Sequence, residues 1–386
     1  MSDALFEITK DHLETGMRGY PVGYCTTSTV DPVKGLFYAG IPVKDLINQE
    51  PEQVIYLLYY GKQGSPEEVK KFTEELRARA LLSPQTVNHI CGLPRQGHPM
   101  DLFCSAIFIC GMLEGKNDYR EDCLNLIAKA PQLAATVINH HAGWGSTPPS
   151  KPELGYMENF TQMLNIPNSN KSQLMPILKL FNILHFDHGG GNLSTFVGKA
   201  VASSLEHMYG SMAAAMAALA GSRHGKANQD CLEFVKNVLS LLGENATPEQ
   251  VESLIRTRLS SNQLIFGFGH AVLRVEDPRA TIFYEIGENK YPNHPLIKIA
   301  RLLRSEGPKV LKENPKIANP YPNVDAISGV LLSAAGFPYP EYFTVLFGLA
   351  RIVGISIQVV YERCEARGGK GTPIVRPKYI YKPRNE

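Results

Sequence analysis

The chain has 386 residues, of which 44% are apolar and 20% charged, so it can bury a large core and disorder is not its default. Its 39 basic and 37 acidic residues leave a formal charge of +2, which argues against a nucleic-acid or membrane-surface partner. Seven cysteines, none spaced CxxC, argue against a disulfide framework or a cysteine-built zinc site.

In chain order, the N-terminal Asp3, Glu7, Asp11 and Glu14 oppose a secretory or transit leader, and a cytoplasmic location is expected. Gly35 to Tyr38 reads as a short extended piece. Pro51-Glu52-Gln53 opens a helix, and Ser65-Pro66-Glu67-Glu68 opens the next as a capping box with proline at its first position. Val69, Phe72, Leu76 and Ala80 then recur at helical spacing. Thr147 to Pro152 reads as a surface loop. The run from Ala213 to Ala220 reads as a helix whose small side chains allow close packing, and it is too short to span a membrane. No other stretch is expected to reach the roughly 18 apolar residues of a span. Thr247-Pro248-Glu249-Gln250 repeats the capped start, and Asn314 to Pro322 is a second proline-rich loop. Pro373 to Tyr381 is a further candidate for extended structure. Strand-like alternation is otherwise rare, so an all-α fold is expected.

Four segments carry candidate chemistry. His185-Phe186-Asp187-His188 precedes a glycine run ending at Asn192; two histidines at this spacing could share a helix face and bind a metal, or be a core residue and a helix-end residue. Gly221 to Asn228 sets His224 between glycines ahead of a new helix. A histidine there stays neutral in the local field, with Arg223 pushing the same way, and can donate to a carbonyl becoming an enolate. Read in isolation, the motif fits a simple capping histidine better. Gly267-Phe268-Gly269-His270, followed by Arg274 and Asp277-Pro278-Arg279, suits an anionic substrate with a carbonyl to polarise. Asn323-Val324-Asp325 sits where a loop enters an apolar helix, and Asp325 could be no more than an N-cap.

Taken together and in this order, these segments closely resemble citrate synthases. The likeness runs over almost the whole chain and includes Gly16-Met17-Arg18-Gly19, His98-Pro99-Met100, Asn159 to Leu164, Phe343 to Phe347 and Val375-Arg376-Pro377. The resemblance implies an all-α fold with a large domain, residues 1–224 and 333–386, and a small inserted domain, residues 225–332. It implies a homodimer that joins acetyl-CoA to oxaloacetate with no metal and no redox cofactor. It makes Asp325 the base, His224 the partner that stabilises the acetyl-CoA enol, and His270 the group that polarises the ketone of oxaloacetate. His188, Asn192, Arg279 and Arg351 would hold oxaloacetate, with Arg376 reaching in from the other subunit. Arg274 is the best match for a CoA-phosphate contact, followed by Arg18 and Lys316.

The residue types suit that reaction. A thioester methyl is a very weak carbon acid, so a carboxylate can deprotonate it only if the enolate is stabilised as it forms. Arginine forks match the carboxylates of oxaloacetate. The chain departs from the family's usual pattern at Ser222 and Arg223, at Gly189, at Ala318 and in the glycine-rich stretch from Glu365 to Thr372. Its short N-terminus implies no separate NADH site. The rival readings are a 2-methylcitrate synthase using propionyl-CoA, a metal hydrolase built on His185, His188 and His224, and a non-catalytic acyl-CoA-binding relative.

Overall fold

The computed structural model describes residues 5–384, so Asp3 of the acidic N-terminus lies outside the described residues. A three-stranded antiparallel sheet comes first: β1 (Ser28–Asp31), β2 (Gly35–Tyr38) and β3 (Ile41–Pro42), with Ser28 opposite Tyr38 and Phe37 opposite Pro42. Helices follow: α1 (Pro51–Tyr60), α2 (Pro66–Arg79), α3 (Pro84–Cys91), α4 (Pro99–Glu114), α5 (Tyr119–Ala142), α6 (Tyr156–Met163), α7 (Lys171–His185) and α8 (Leu193–Ala202). Then come α9 (Met208–Leu219), α10 (Ala227–Leu242), α11 (Pro248–Ser260), α12 (Pro278–Lys290), α13 (Pro295–Leu311), α14 (Asp325–Ala334) and α15 (Phe343–Val360).

The helix starts follow the capping chemistry in the sequence. Ser65 Oγ accepts from the Glu68 amide at 3.3 Å, and Glu68 accepts from the Ser65 amide at 2.7 Å. Thr247 and Gln250 make the same exchange. In α2, Phe72 and Leu76 are buried, while Val69 and Ala80 lie at the edge of the core. The alanine run packs closely as expected: a Cβ on Gly198 of α8 would stand 3.1 Å from the Ala215 Cβ of α9. Small residues let the two helix backbones approach.

Two expectations need correction. Pro373 to Tyr381 forms no strand; it is an exposed irregular segment whose Val375 amide donates to Ser203 Oγ at 2.9 Å. Proline at two of its positions removes ladder donors, and among the described residues no strand pairs with it. The expectation that no other stretch reaches spanning length also fails. Helix α15 has eighteen residues with Arg351 as its one charge, and its helical segment is long and apolar enough to cross a membrane. That apolar surface is spent inside the protein, because 94% of the segment's apolar window is buried against α5, α7, α8 and α9 among others. A helix hydrophobic all round is what a core position requires.

Helices α10 to α14 pack chiefly on one another, with α14 against α10, α12 and α13. Helix α14 also touches α7, and α10 touches α15. Of the candidate residues, His188, His224, His270, Arg279, Asp325 and Arg351 lie along this seam.

Candidate active site

The seam is built by loops that brace one another. The proline-rich loop before α14 lies along the glycine-flanked loop that carries His270. The Asn323 amide donates to the Gly267 carbonyl at 2.9 Å, the Gly269 amide donates to Tyr321 O at 3.1 Å, and Asn323 Nδ2 donates to Gly269 O at 2.9 Å. Gly267 has φ +83°, and a Cβ there would stand 2.8 Å from Ala326 Cα. Only glycine combines that backbone conformation with that approach. The loop bearing His270 is thereby locked to the helix start bearing Asp325.

Asp325 occupies the first residue of α14, yet it does not cap the helix. Asn323 Oδ1 accepts the Asp325 amide at 3.0 Å. Among the described residues, no hydrogen bond engages the Asp325 carboxylate. Burial pushes its pKa up to about 6, Arg279 opposes that rise and Asp277 adds to it.

His270 has its tautomer written in its contacts. Its Nδ1 accepts from the amides of Val272 at 3.0 Å and Leu273 at 2.9 Å, so the ring proton sits on Nε2. Burial, followed by the Arg279 charge, lowers its pKa to about 4 and keeps it neutral. His224 is arranged the other way round. Its Nε2 accepts from the Ser194 amide at 3.2 Å, which leaves the proton on Nδ1. Its pKa also falls to about 4, through burial and then Arg351. The expectation that Arg223 helps is corrected here, because Arg223 is exposed on the turn and the cation that acts on His224 is Arg351.

His188 lies beside His270, ring centroids 5.4 Å apart, and burial with the charges of Arg279 and Arg351 drives its pKa well down. Arg351 is 2% exposed on α15, over the Phe347 ring at 4.8 Å, and its buried Nε has no partner. Burial lowers its pKa to about 10. Arg279 is also buried. It grips Asp277 through Nε at 3.1 Å and Nη2 at 2.7 Å, leaving Nη1 outside that pair. Burial works against the Arg279 charge, but the Asp277 pair more than offsets it and its pKa is raised.

The structure thus gathers His188, His224, His270, Arg279, Arg351 and Asp325. Asn192 is close by, but it serves the loop: it caps α8 through the Thr195 amide and donates to His188 O and Gly189 O. Arg274 is exposed, with Nη1 turned onto the carbonyls of Val272 and Leu273 at 2.9 Å each. Arg18, Lys316 and Arg376 are exposed and make no side-chain bond to these residues. His185 faces the core instead, stacked on Phe181 with Nδ1 at 2.7 Å from the Phe181 carbonyl. Gly189, where the family pattern differs, adopts φ +73° with open space where a Cβ would stand, so glycine relieves that turn. Ser194, the pairing of Asp277 with Arg279 and the bracing role of Asn323 were not legible in the sequence. Ser194 and His224 lie thirty residues apart, and no local pattern announces their contact.

Neutral imidazole donors, a carboxylate poised to take a proton and guanidinium groups with spare donors define an enzyme that activates carbonyl compounds bearing carboxylates. Solved structures of citrate synthases share this mainly helical frame. That of Thermotoga maritima matches with TM-score 0.81 and 26% identity, covering 96% of each chain. A ternary complex of the Thermoplasma acidophilum citrate synthase with carboxymethyl coenzyme A and oxaloacetate matches with TM-score 0.82 and 26% identity, again over 96% of each chain. The sequence family described as citrate synthase, C-terminal domain, matches residues 16–378. A mitochondrial citrate synthase of Arabidopsis thaliana is 35% identical, and one of Citrus maxima 36%, each over 97% of this chain and 83% of the relative. The chain belongs to the citrate synthase family.

These relatives correct the expected cytoplasmic location. The Arabidopsis thaliana and Citrus maxima proteins are mitochondrial by name, which speaks against the cytoplasmic expectation. The acidic N-terminal side chains report on those residues alone and do not decide the compartment.

Proposed function

We propose that this chain condenses the acetyl group of acetyl-CoA with oxaloacetate and water, giving citrate and CoA. The observation that carries this reading is the free carboxylate of Asp325, raised to about 6, facing a site with two neutral histidines of opposite tautomer. Asp325 takes a proton from the acetyl methyl group. His224, with its proton on Nδ1, donates to the thioester oxygen as the enolate forms. A neutral donor matched to the enolate suits this step better than an imidazolium. His270 donates from Nε2 to the ketone oxygen of oxaloacetate and makes the carbonyl carbon electrophilic. His188, Arg279 and Arg351 hold the two carboxylates, and Asn192 shapes the loop carrying His188. Water then cleaves citryl-CoA, so closure must exclude it until condensation is complete.

Residues 225–332 act as a small domain that closes on the rest. The mutual packing of α10 to α14 supports that division. The exposed cations Arg274, Arg18 and Lys316 meet the phosphates of CoA. The working unit is a homodimer in which Arg376 serves the partner's site. In support, the neighbouring Val375 is bonded to Ser203, just beyond the C-terminal end of α8, whereas the site lies at the other end. Ten residues of helix separate those ends by about 15 Å, farther than one arginine side chain extends. Neither a metal nor a redox cofactor takes part.

A thiol-release assay tests the reading. CoA should appear only when oxaloacetate and acetyl-CoA are both present, and acetyl-CoA should exceed propionyl-CoA in kcat/KM. No release with either thioester overturns the proposal; a reversed ratio moves the acyl specificity to propionyl-CoA.

A further inference from the structure

Two opposite charges lie buried near the site without joining. Asp187, just past α7, is 0% exposed, and Arg351 is 2% exposed. They feel one another, since Asp187 is the strongest charge that sustains the Arg351 cation against burial. Yet among the described residues neither forms an ion pair, and Arg351 Nε has no partner at all. The other buried carboxylate and guanidinium of the site, Asp277 and Arg279, do close into a bidentate pair.

The surroundings of Asp187 explain the difference. Its oxygens are bonded by neutral donors: Thr27 Oγ1 and Ser28 Oγ bond Oδ2, the latter at 2.8 Å. Gln358 Nε2 bonds Oδ1 at 2.9 Å and Oδ2 at 3.1 Å. The backbone is held as well. The Asp187 amide donates to Tyr38 Oη at 3.2 Å, and the Gly354 amide donates to Phe186 O at 3.0 Å. Gly354 follows Arg351 by one helical turn, and a Cβ on it would stand 2.5 Å from Asp187 Cγ. Lys199, a cation on the Gln358 side, is engaged by Glu362 at 2.9 Å. It also donates to Gln358 Oε1 at 3.3 Å, which turns the Gln358 amide so that Nε2 faces Asp187.

We propose that Asp187 is a positioning counter-ion for Arg351. Thr27, Ser28 and Gln358 clamp its carboxylate at a distance from the guanidinium. The carboxylate supplies negative charge that keeps Arg351 protonated, while the clamp leaves the guanidinium donors for a substrate carboxylate. The inference rests on the proposed role of Arg351 in holding oxaloacetate. The other titratable or charged groups acting on Arg351, or acted on by it, are Tyr38 from β2, Arg279 from α12, His185 at the end of α7, His188 in the loop after it, and His224 before α10. Asp187 is the carboxylate among them.

Gln358→Leu opens the clamp and lets Asp187 reach Arg351. The KM for oxaloacetate should rise about tenfold with the KM for acetyl-CoA unchanged. Adding Asp187→Asn to that variant should restore the oxaloacetate KM, because a neutral amide cannot occupy the guanidinium as an ion pair. Asp187→Asn alone should move the alkaline limb of kcat/KM for oxaloacetate to lower pH, a shift that a merely structural role does not produce. If Gln358→Leu does not fold, the isosteric Thr27→Val reads the same quantity. An unchanged oxaloacetate KM in whichever clamp variant folds overturns the proposal, as does a double variant no better than Gln358→Leu. Arg351→Ala is the control: if it leaves oxaloacetate binding intact, the role of Arg351 fails, whereas a loss in Arg351→Ala with no effect of the clamp variants rejects the clamp alone.

Discussion

The backbone amide of Ser194 donates to Nε2 of His224 at 3.2 Å, with Ser194 Oγ at 2.9 Å from the same nitrogen. The second residue of α8 therefore decides which nitrogen of His224 carries its proton, and that proton is aimed through Nδ1. His224→Gln keeps an amide donor of shorter reach. Its kcat should fall by about 10²- to 10³-fold with little change in oxaloacetate affinity. Steady-state kinetics and oxaloacetate titration check this, and a pure oxaloacetate KM effect would reassign the residue.

Asp325→Asn removes the base without altering the shape of the α14 start, since Asn323 accepts the amide there. Exchange of the acetyl-CoA methyl protons with solvent should stop, and kcat should fall by about 10²- to 10⁴-fold. Oxaloacetate should still bind. Continued proton exchange in this variant, followed by NMR, would place the base elsewhere.

The pH profile should show one acid limb near the Asp325 value of about 6. The raised pKa means that the neutral, inactive acid persists to higher pH than for an ordinary carboxylate. Activity is thus present above that value and declines as pH falls through it. His224 and His270, at about 4, stay neutral over the same range and add no limb. A slope of two protons below pH 6 would show that a histidine titrates there as well.

Arg279→Ala strands Asp277, which is 2% exposed. In the wild type, burial pushes the Asp277 pKa up, but Arg279 more than offsets this and holds it below the ordinary carboxylate value. That pairing contributes stability above the unfolded pKa and loses it as pH falls through the lower folded value. In the variant the burial cost is unopposed, so the folded pKa rises and the penalty is largest at neutral pH. A loss of about 3–5 kcal/mol is expected at pH 7, shrinking as the solution is acidified. Denaturant titrations at several pH values measure it. Oxaloacetate binding should weaken strongly in parallel.

Hybrid dimers test the shared site. Asp325→Asn and Arg376→Ala should each be nearly inactive. When the two are unfolded and refolded together, about half the dimers are mixed, and each mixed dimer has one intact site. About a quarter of wild-type activity should return. No recovery, with refolded wild type as control, would mean that Arg376 acts within its own chain or not at all.

The helical class, the capped starts of α2 and α11, the glycine-flanked histidines and the family were legible in the chain, because each depends on short-range spacing or on motif order. Ser65 and Glu68 make a capping box wherever they meet, and Gly267 announces a tight turn before its neighbours are known. Tertiary structure decided the rest. The tautomer of His224 depends on Ser194, the charge state of Asp325 on its burial, and the freedom of Arg351 on Thr27, Ser28 and Gln358 holding Asp187. Helix α15 reads by composition as a segment that could cross a membrane, and only its neighbours make it a core. The reason is common to all four. Hydrogen-bond partners, dielectric environment and burial are properties of what lies across a contact, and those residues are distant in sequence.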